Sequence, residues 1–137
     1  MMHYAIETKI DPDEFIDVLA ESGLGARRPI NDSERIKAML KHGNLIVTAR
    51  DCGLLVGVAR SMTDYAFCTY LSDLAVRKVY QGKGIGTELI RQTKLATPKA
   101  RLILLSAPDA IKYYPRIGMQ NFNHCYYLDD ANDLIKF

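Results

Sequence analysis

Several things are scarce in this chain of 137 residues, and each scarcity narrows the reading. There are only three cysteines, Cys52, Cys68 and Cys125, in no C-x-x-C or zinc-type spacing. Nothing in that count or spacing points to a disulfide framework, no metal is expected, and reduced, partly buried thiols of a cytoplasmic protein are the simpler reading. No apolar run approaches the ~20 residues of a membrane span. The opening "MMHYAIETKIDPDEF" lacks the basic-then-apolar pattern of a secretory leader. Basic and acidic side chains nearly balance, 18 against 16, and no basic run occurs, so neither nucleic acid nor membrane is expected as a partner. Repeats, low-complexity tracts and obvious linkers are absent too.

What remains is ordinary globular composition, with 48% apolar and 25% charged residues. The length suits one domain with its own core, so a single domain over residues 1–137 is expected. "HYAIET" reads as a first strand. In "DPDEFIDVLAES", Asp11 caps a helix, Pro12 suits its first position, and Phe15, Val18 and Leu19 share a face. A second helix is predicted near "NDSERIKAML", with Asn31 and Glu34 as a capping box. "NLIVTAR", "LLVGVARSM" and "AFCTYLSDLAV" form a three-strand meander. A helix to about Ala96, the buried-type strand "RLILLSA", a short helix in "PDAIKYYPRIG" and a last strand "FNHCYYL" follow. The pattern predicts a mixed three-layer or α+β architecture with helices packed on a sheet.

The stretch "VYQGKGIGTEL" places Gly82, Gly84 and Gly86 where a helix begins. Glycine is the poorest ordinary helix former, so three together suggest a use. A helix N-terminus offers unpaired N–H groups and a positive dipole end, and glycines let an anion approach the backbone. A Walker loop is excluded, because no GxxxxGK followed by Ser or Thr exists. The dinucleotide fingerprint fails as well: Thr87 stands where its third glycine belongs.

The run Gln81-Gly82-Lys83-Gly84-Ile85-Gly86 resembles the Gln/Arg-x-x-Gly-x-Gly/Ala motif of the GNAT superfamily of N-acetyltransferases, and the order of elements is similar over nearly the whole chain. The resemblance implies an α+β fold in three layers, a central mixed, mostly antiparallel sheet with helices on both faces, and acetyl-CoA as co-substrate. Its pyrophosphate would lie on the backbone of Gln81, Gly82, Lys83, Gly84, Ile85, Gly86 and Thr87, and its pantetheine arm along Leu74, Ala75 and Val76. That arm would enter where strands four and five splay apart. "Ala-Ile-Lys-Tyr-Tyr-Pro-Arg-Ile-Gly-Met", residues 110–119, resembles the family's Ala-x-x-Phe-Tyr-x-x-x-Gly-Phe segment. This places Tyr114 at the tyrosine that protonates the departing sulfur and contacts the cofactor. Ala107 departs from the asparagine common there.

The expected activity is acetyl transfer to a primary amine of a small molecule or peptide. The alternative is a CoA-binding module without turnover. Asp73 offers a base for the amine. Arg27 and Arg28, in the connection between the first two helices, offer attraction for an anionic acceptor or are plain exposed charge. Asp64 offers attraction for a cationic amine. By family habit a homodimer is expected, with "FNHCYYL" and "DDANDLIKF" as contact segments.

Overall fold

The computed structural model describes residues 1–135. Its chain divides into two compact units, Met1–Leu105 and Ser106–Phe137. The first holds a sheet in the order β1 (Met2–Ile6), β2 (Leu45–Asp51), β3 (Leu54–Thr63), β4 (Cys68–Val76), β5 (Arg101–Ile103). The first four strands pair antiparallel and β5 joins β4 in parallel. The predicted mixed, mostly antiparallel sheet with helices is thus observed.

Helix α1 (Pro12–Ser22) begins as its sequence dictates. The Asp11 carboxylate accepts from Asp13 N at 3.1 Å, and Gly23, in the left-handed region at φ 92°, ends the helix. Helix α2 (Ser33–His42) starts one residue later than the capping-box pattern implied. Asp32 is its cap and accepts from Arg35 N at 3.1 Å. Phe15, Val18 and Leu19 of α1 and Ile36 of α2 are buried on one face of the sheet against Ile46, Val58 and Ala75. Each fully buried side chain of this kind contributes about 1.5–3 kcal/mol. The position just before Val58 on β3, Gly57, faces the other way, as strand alternation requires. A side chain at Gly57 would meet Leu89 and Ile85 of α3 (Ile85–Ala96) at 3.0 and 3.2 Å, so glycine there lets α3 close onto the second face.

Two details of the sheet position the site. The β3–β4 register pairs Arg60 with Asp73 and then Ser61 with Leu71, so Ser72 is the extra residue of a bulge in β4. The β4–β5 pairing covers only Cys68–Tyr70 with Arg101–Ile103. From Leu71 to Val76, β4 has no strand partner on that edge among the described residues. The strand expected over residues 101–107 is therefore shortened to three residues.

The second unit contains α4 (Tyr113–Arg116), preceded by a 3-10 turn at Pro108–Ala110, and a further 3-10 turn at Ala131–Asp133. The strand predicted for "FNHCYYL" does not form; Tyr126 and Tyr127 are 89% and 80% exposed. Of the expected contact segment 129–137, Lys136 and Phe137 lie outside the described residues. The three cysteines are free, and all are exposed where partial burial was expected. No helix among the described residues is long and apolar enough to cross a membrane.

Candidate active site

The glycine loop follows β4 through a 3-10 turn at Lys78–Tyr80. Gly82 and Gly84 sit at φ 75° and 84°, a region that L-residues enter only with strain. A Cβ built on either would meet no atom within 4 Å. The glycines thus answer a backbone demand and leave open space beside the chain. Gly84 is the N-cap of α3, and the first intrahelical bond runs from Glu88 N to Gly84 O at 3.0 Å. The earlier N–H groups of Ile85 and Gly86 have no partner within the helix, and the positive dipole end lies there. Such a loop can take an anion. Its run of amides begins later than expected. Gln81 N already donates to Lys78 O at 3.1 Å, and the Gln81 side chain donates to Val76 O at 2.8 Å. Lys83 Nζ lies 5.5 Å from the centre of the Tyr80 ring, and the Tyr80 hydroxyl donates to Asp51 at 2.8 Å. Thr87 is exposed on the first turn of α3.

Strand alternation orients the neighbouring stretch of β4. Arg77 N donates to Val56 O on β3 at 2.9 Å, so the backbone groups of Ala75 point the same way. Those of Leu74 and Val76 point to the opposite edge, which β5 has left. The bond from Gln81 to Val76 O agrees with that direction. Beside the glycine loop, then, an open strand edge offers donors and acceptors for an extended ligand, and the Leu74 N–H is among them. Ala75 and Val76 are buried and Leu74 is half-buried.

Asp73 differs from the expectation of a catalytic base. Its side chain is fully buried; one carboxylate oxygen accepts from Arg28 Nε and the other from Arg60 Nε. Both oxygens accept from charged donors, and the side chain is closed off from solvent. It is the centre of an ion-paired node. Arg60 also donates to Met39 O at the end of α2 and to the Ser72 hydroxyl, both at 3.1 Å. Arg28 donates to Ser72 O at 2.7 Å and to Arg27 O at 2.8 Å. Gly43 makes room for this: a Cβ there would stand 2.8 Å from the Arg60 side chain. Arg28 is not plain exposed charge, and Arg60 was missed altogether. The available signal was an arginine inside the apolar strand "LLVGVARSM" with an aspartate inside the apolar strand "YLSDLAV".

Asp64 is also committed. Its Oδ1 accepts from Ala66, Phe67 and Cys68 N at 2.9, 2.8 and 3.1 Å, which pulls its pKa down to about 2. It closes the β3–β4 turn.

In the second unit, Tyr114 is half-buried in α4, and its ring stands edge-on to that of Tyr113 with centroids 5.2 Å apart. Burial is the main cause that pushes its phenol above the ordinary tyrosine value, and Tyr113 adds to it. The phenol therefore keeps its proton well beyond neutral pH.

Residues 20–127 match the model of the acetyltransferase (GNAT) domain. The chain belongs to the GNAT acetyltransferase family. It is 29% identical over 111 residues to an uncharacterized N-acetyltransferase, ycf52, of Porphyra purpurea, and 26% identical over 110 residues to that of Pyropia yezoensis. Each alignment covers 75% of this chain and 62% of the relative, so the chain spans less than two thirds of the length of those curated relatives. The fold is similar to a GNAT-family acetyltransferase from Streptococcus pneumoniae at TM-score 0.79 and 19% identity, covering 98% of this chain and 100% of that one. It is also similar to a GNAT acetyltransferase from Brucella melitensis in complex with acetyl-CoA, at TM-score 0.67 and 25% identity, with 88% and 84% covered. In this GNAT chain, the open edge of β4 and the glycine loop are neighbours on one continuous segment, residues 71–87.

Proposed function

We propose that this GNAT domain transfers an acetyl group from acetyl-CoA to a primary amine by direct attack within a ternary complex, its two units acting as one domain over residues 1–137. The observation that carries the reading is the pairing of an unpartnered β4 edge with a left-handed glycine cradle at the start of α3. The open edge at Leu74–Val76 suits an extended arm rich in amides. The cradle from Gly82 to Thr87 suits the pyrophosphate that ends such an arm. The residues fit the co-substrate, because side chains at Gly82 or Gly84 would fill the space an anion needs.

Acetyl-CoA supplies the activated acetyl group. A backbone N–H on the open edge, that of Leu74 or Val76, polarises the thioester oxygen. The amine nitrogen forms the new bond to the acyl carbon as the carbon–sulfur bond breaks. The Tyr114 phenol gives its proton to the leaving sulfur, whose thiol titrates near ~8.5 by analogy with cysteine. With Asp73 enclosed by two arginines, the proton of the attacking amine passes to solvent, and solvent returns a proton to the Tyr114 phenolate to complete the cycle. No dedicated base is assigned.

Calorimetric and thermal titration with acetyl-CoA tests the cradle. At about 100 times its dissociation constant a ligand of the native state adds ~2.7 kcal/mol of stability. Gly84→Val should lose at least tenfold in affinity, beyond the ~1–2 kcal/mol of stability that left-handed strain costs a side chain. A protein that ignores millimolar acetyl-CoA but is stabilised by ATP or NAD would refute the cofactor assignment.

A further inference from the structure

The node around Asp73 does not balance its charge. Two guanidinium groups meet one carboxylate, and among the described residues neither has a second acidic partner. A positive charge left partly out of water is costly. Arg60 is 6% exposed, and it directs bonds to Asp73, Met39 O, the Met62 sulfur and the Ser72 hydroxyl. The Arg28 side chain is 22% exposed, so the excess charge can meet a ligand only there.

Arg28 is also incompletely used. A guanidinium has five N–H donors. Three are engaged: Nε by Asp73, Nη2 by Ser72 O and Nη1 by Arg27 O. One N–H on each terminal nitrogen has no partner among the described residues. Arg28 lines an open cavity of about 650 Å³ with Ala20, Gly25, Pro29, Ile30 and Asp32, among others. The Asp32 carboxylate there already caps α2 through Arg35 N.

We propose that Arg28 reads a carboxylate carried by the acceptor amine, an assignment that rests on the acetyl-transfer reading. A single residual charge matches a single anionic group. Two spare N–H donors on one planar fork match its two oxygens. The position sets the acceptor's dimensions. Arg28 bonds the carbonyl of Ser72, two residues before Leu74, and two strand residues span at most roughly 7 Å, a length the bulge at Ser72 can only shorten. An amine whose own carboxylate lies within that reach, as in a small amino acid, fits. A long amine without an anionic end leaves the charge unmet.

Glycine, β-alanine and γ-aminobutyrate should be compared as acceptors with their own amides, on the wild type and on Arg28→Gln and Arg28→Lys. The wild type should prefer at least one acid over its amide by tenfold or more in kcat/KM. Arg28→Gln should reduce that ratio to about twofold or less, and Arg28→Lys should restore part of it. A ratio near one in the wild type, or an equal loss on acid and amide in Arg28→Gln, overturns the assignment. Calorimetry with the three N-acetylated acids and their amides reads the same contact without turnover. Carboxylate-dependent binding that Arg28→Gln abolishes supports it, and its absence for all three acids overturns it. Lack of acetyl-CoA binding would instead sink the acetyl-transfer reading while this calorimetric result still stood or fell by itself. Thermal melts of the variants should show folded protein, because Arg60 still neutralises Asp73.

Discussion

Tyr114→Phe should slow the chemical step by about 10²-fold or more while acetyl-CoA affinity stays within about threefold. The substitution keeps the ring, and with it the edge-on contact to Tyr113, and removes only the phenolic proton. A positioned general acid contributes about 10²–10⁴-fold, so the lower end of that range is the minimum expected. The pH profile gives an independent sign. In the proposed mechanism the protonated phenol is the active form, so the rate should fall as pH rises through its pKa. Burial raises that pKa above the ordinary tyrosine value, so the falling limb should be displaced to higher pH than a free phenol would give and should vanish in the variant. Single-turnover rates and cofactor titrations on both proteins separate this from a packing role. A variant that keeps more than a third of the wild-type chemical rate removes Tyr114 from catalysis.

Asp73→Ala should be the most destabilising single change in the site. It leaves Arg28 and Arg60 facing each other around an empty centre, and breaking a buried ion pair from one side costs about 3–5 kcal/mol. For a chain of this size the unfolding midpoint should drop by about 10 °C or more. Asp73→Asn should be nearly as damaging, since a neutral amide cannot offset two guanidinium groups. Denaturant titration of both variants measures this. A catalytic base would behave otherwise: Asp73→Asn would melt like the wild type, lose rate, and lose the acidic limb of the pH profile.

The parts of this protein that were legible in its sequence are those that local chemistry decides. Asp11 and Pro12 start α1, and the apolar stripe of Phe15, Val18 and Leu19 faces the core as its spacing demands; α3 begins within the glycine run, at Ile85, so that Gly86 is already helical. Asn31 and Asp32 can both cap, and a pattern with a period near four cannot choose between adjacent residues; the structure uses Asp32. Features that depend on register were hidden. Arg60 and Asp73 face each other only because β3 and β4 pair as they do, with Ser72 bulged between two paired positions. No local pattern states that pairing, so Asp73 looked like an available base. The end of β5 at Ile103 is set by the divergence of β4 and β5, although "RLILLSA" is apolar throughout. "FNHCYYL" has the composition of a strand, but a strand also requires a partner edge, which composition cannot provide. Gln81 was placed in the cradle through its motif, and the turn onto Lys78 O occupies the amide that the motif assigned to the ligand.

The most direct test of acetyl transfer is free-thiol release from acetyl-CoA over a panel of primary amines, polyamines, amino acids and peptides, with mass spectrometry of the products. The expected result is thiol release that depends on the amine, matched mole for mole by an N-acetylated product and reduced by about 10²-fold in Tyr114→Phe. Tight acetyl-CoA binding with no acetylated product from any class of amine would contradict it and leave a CoA-binding module without turnover.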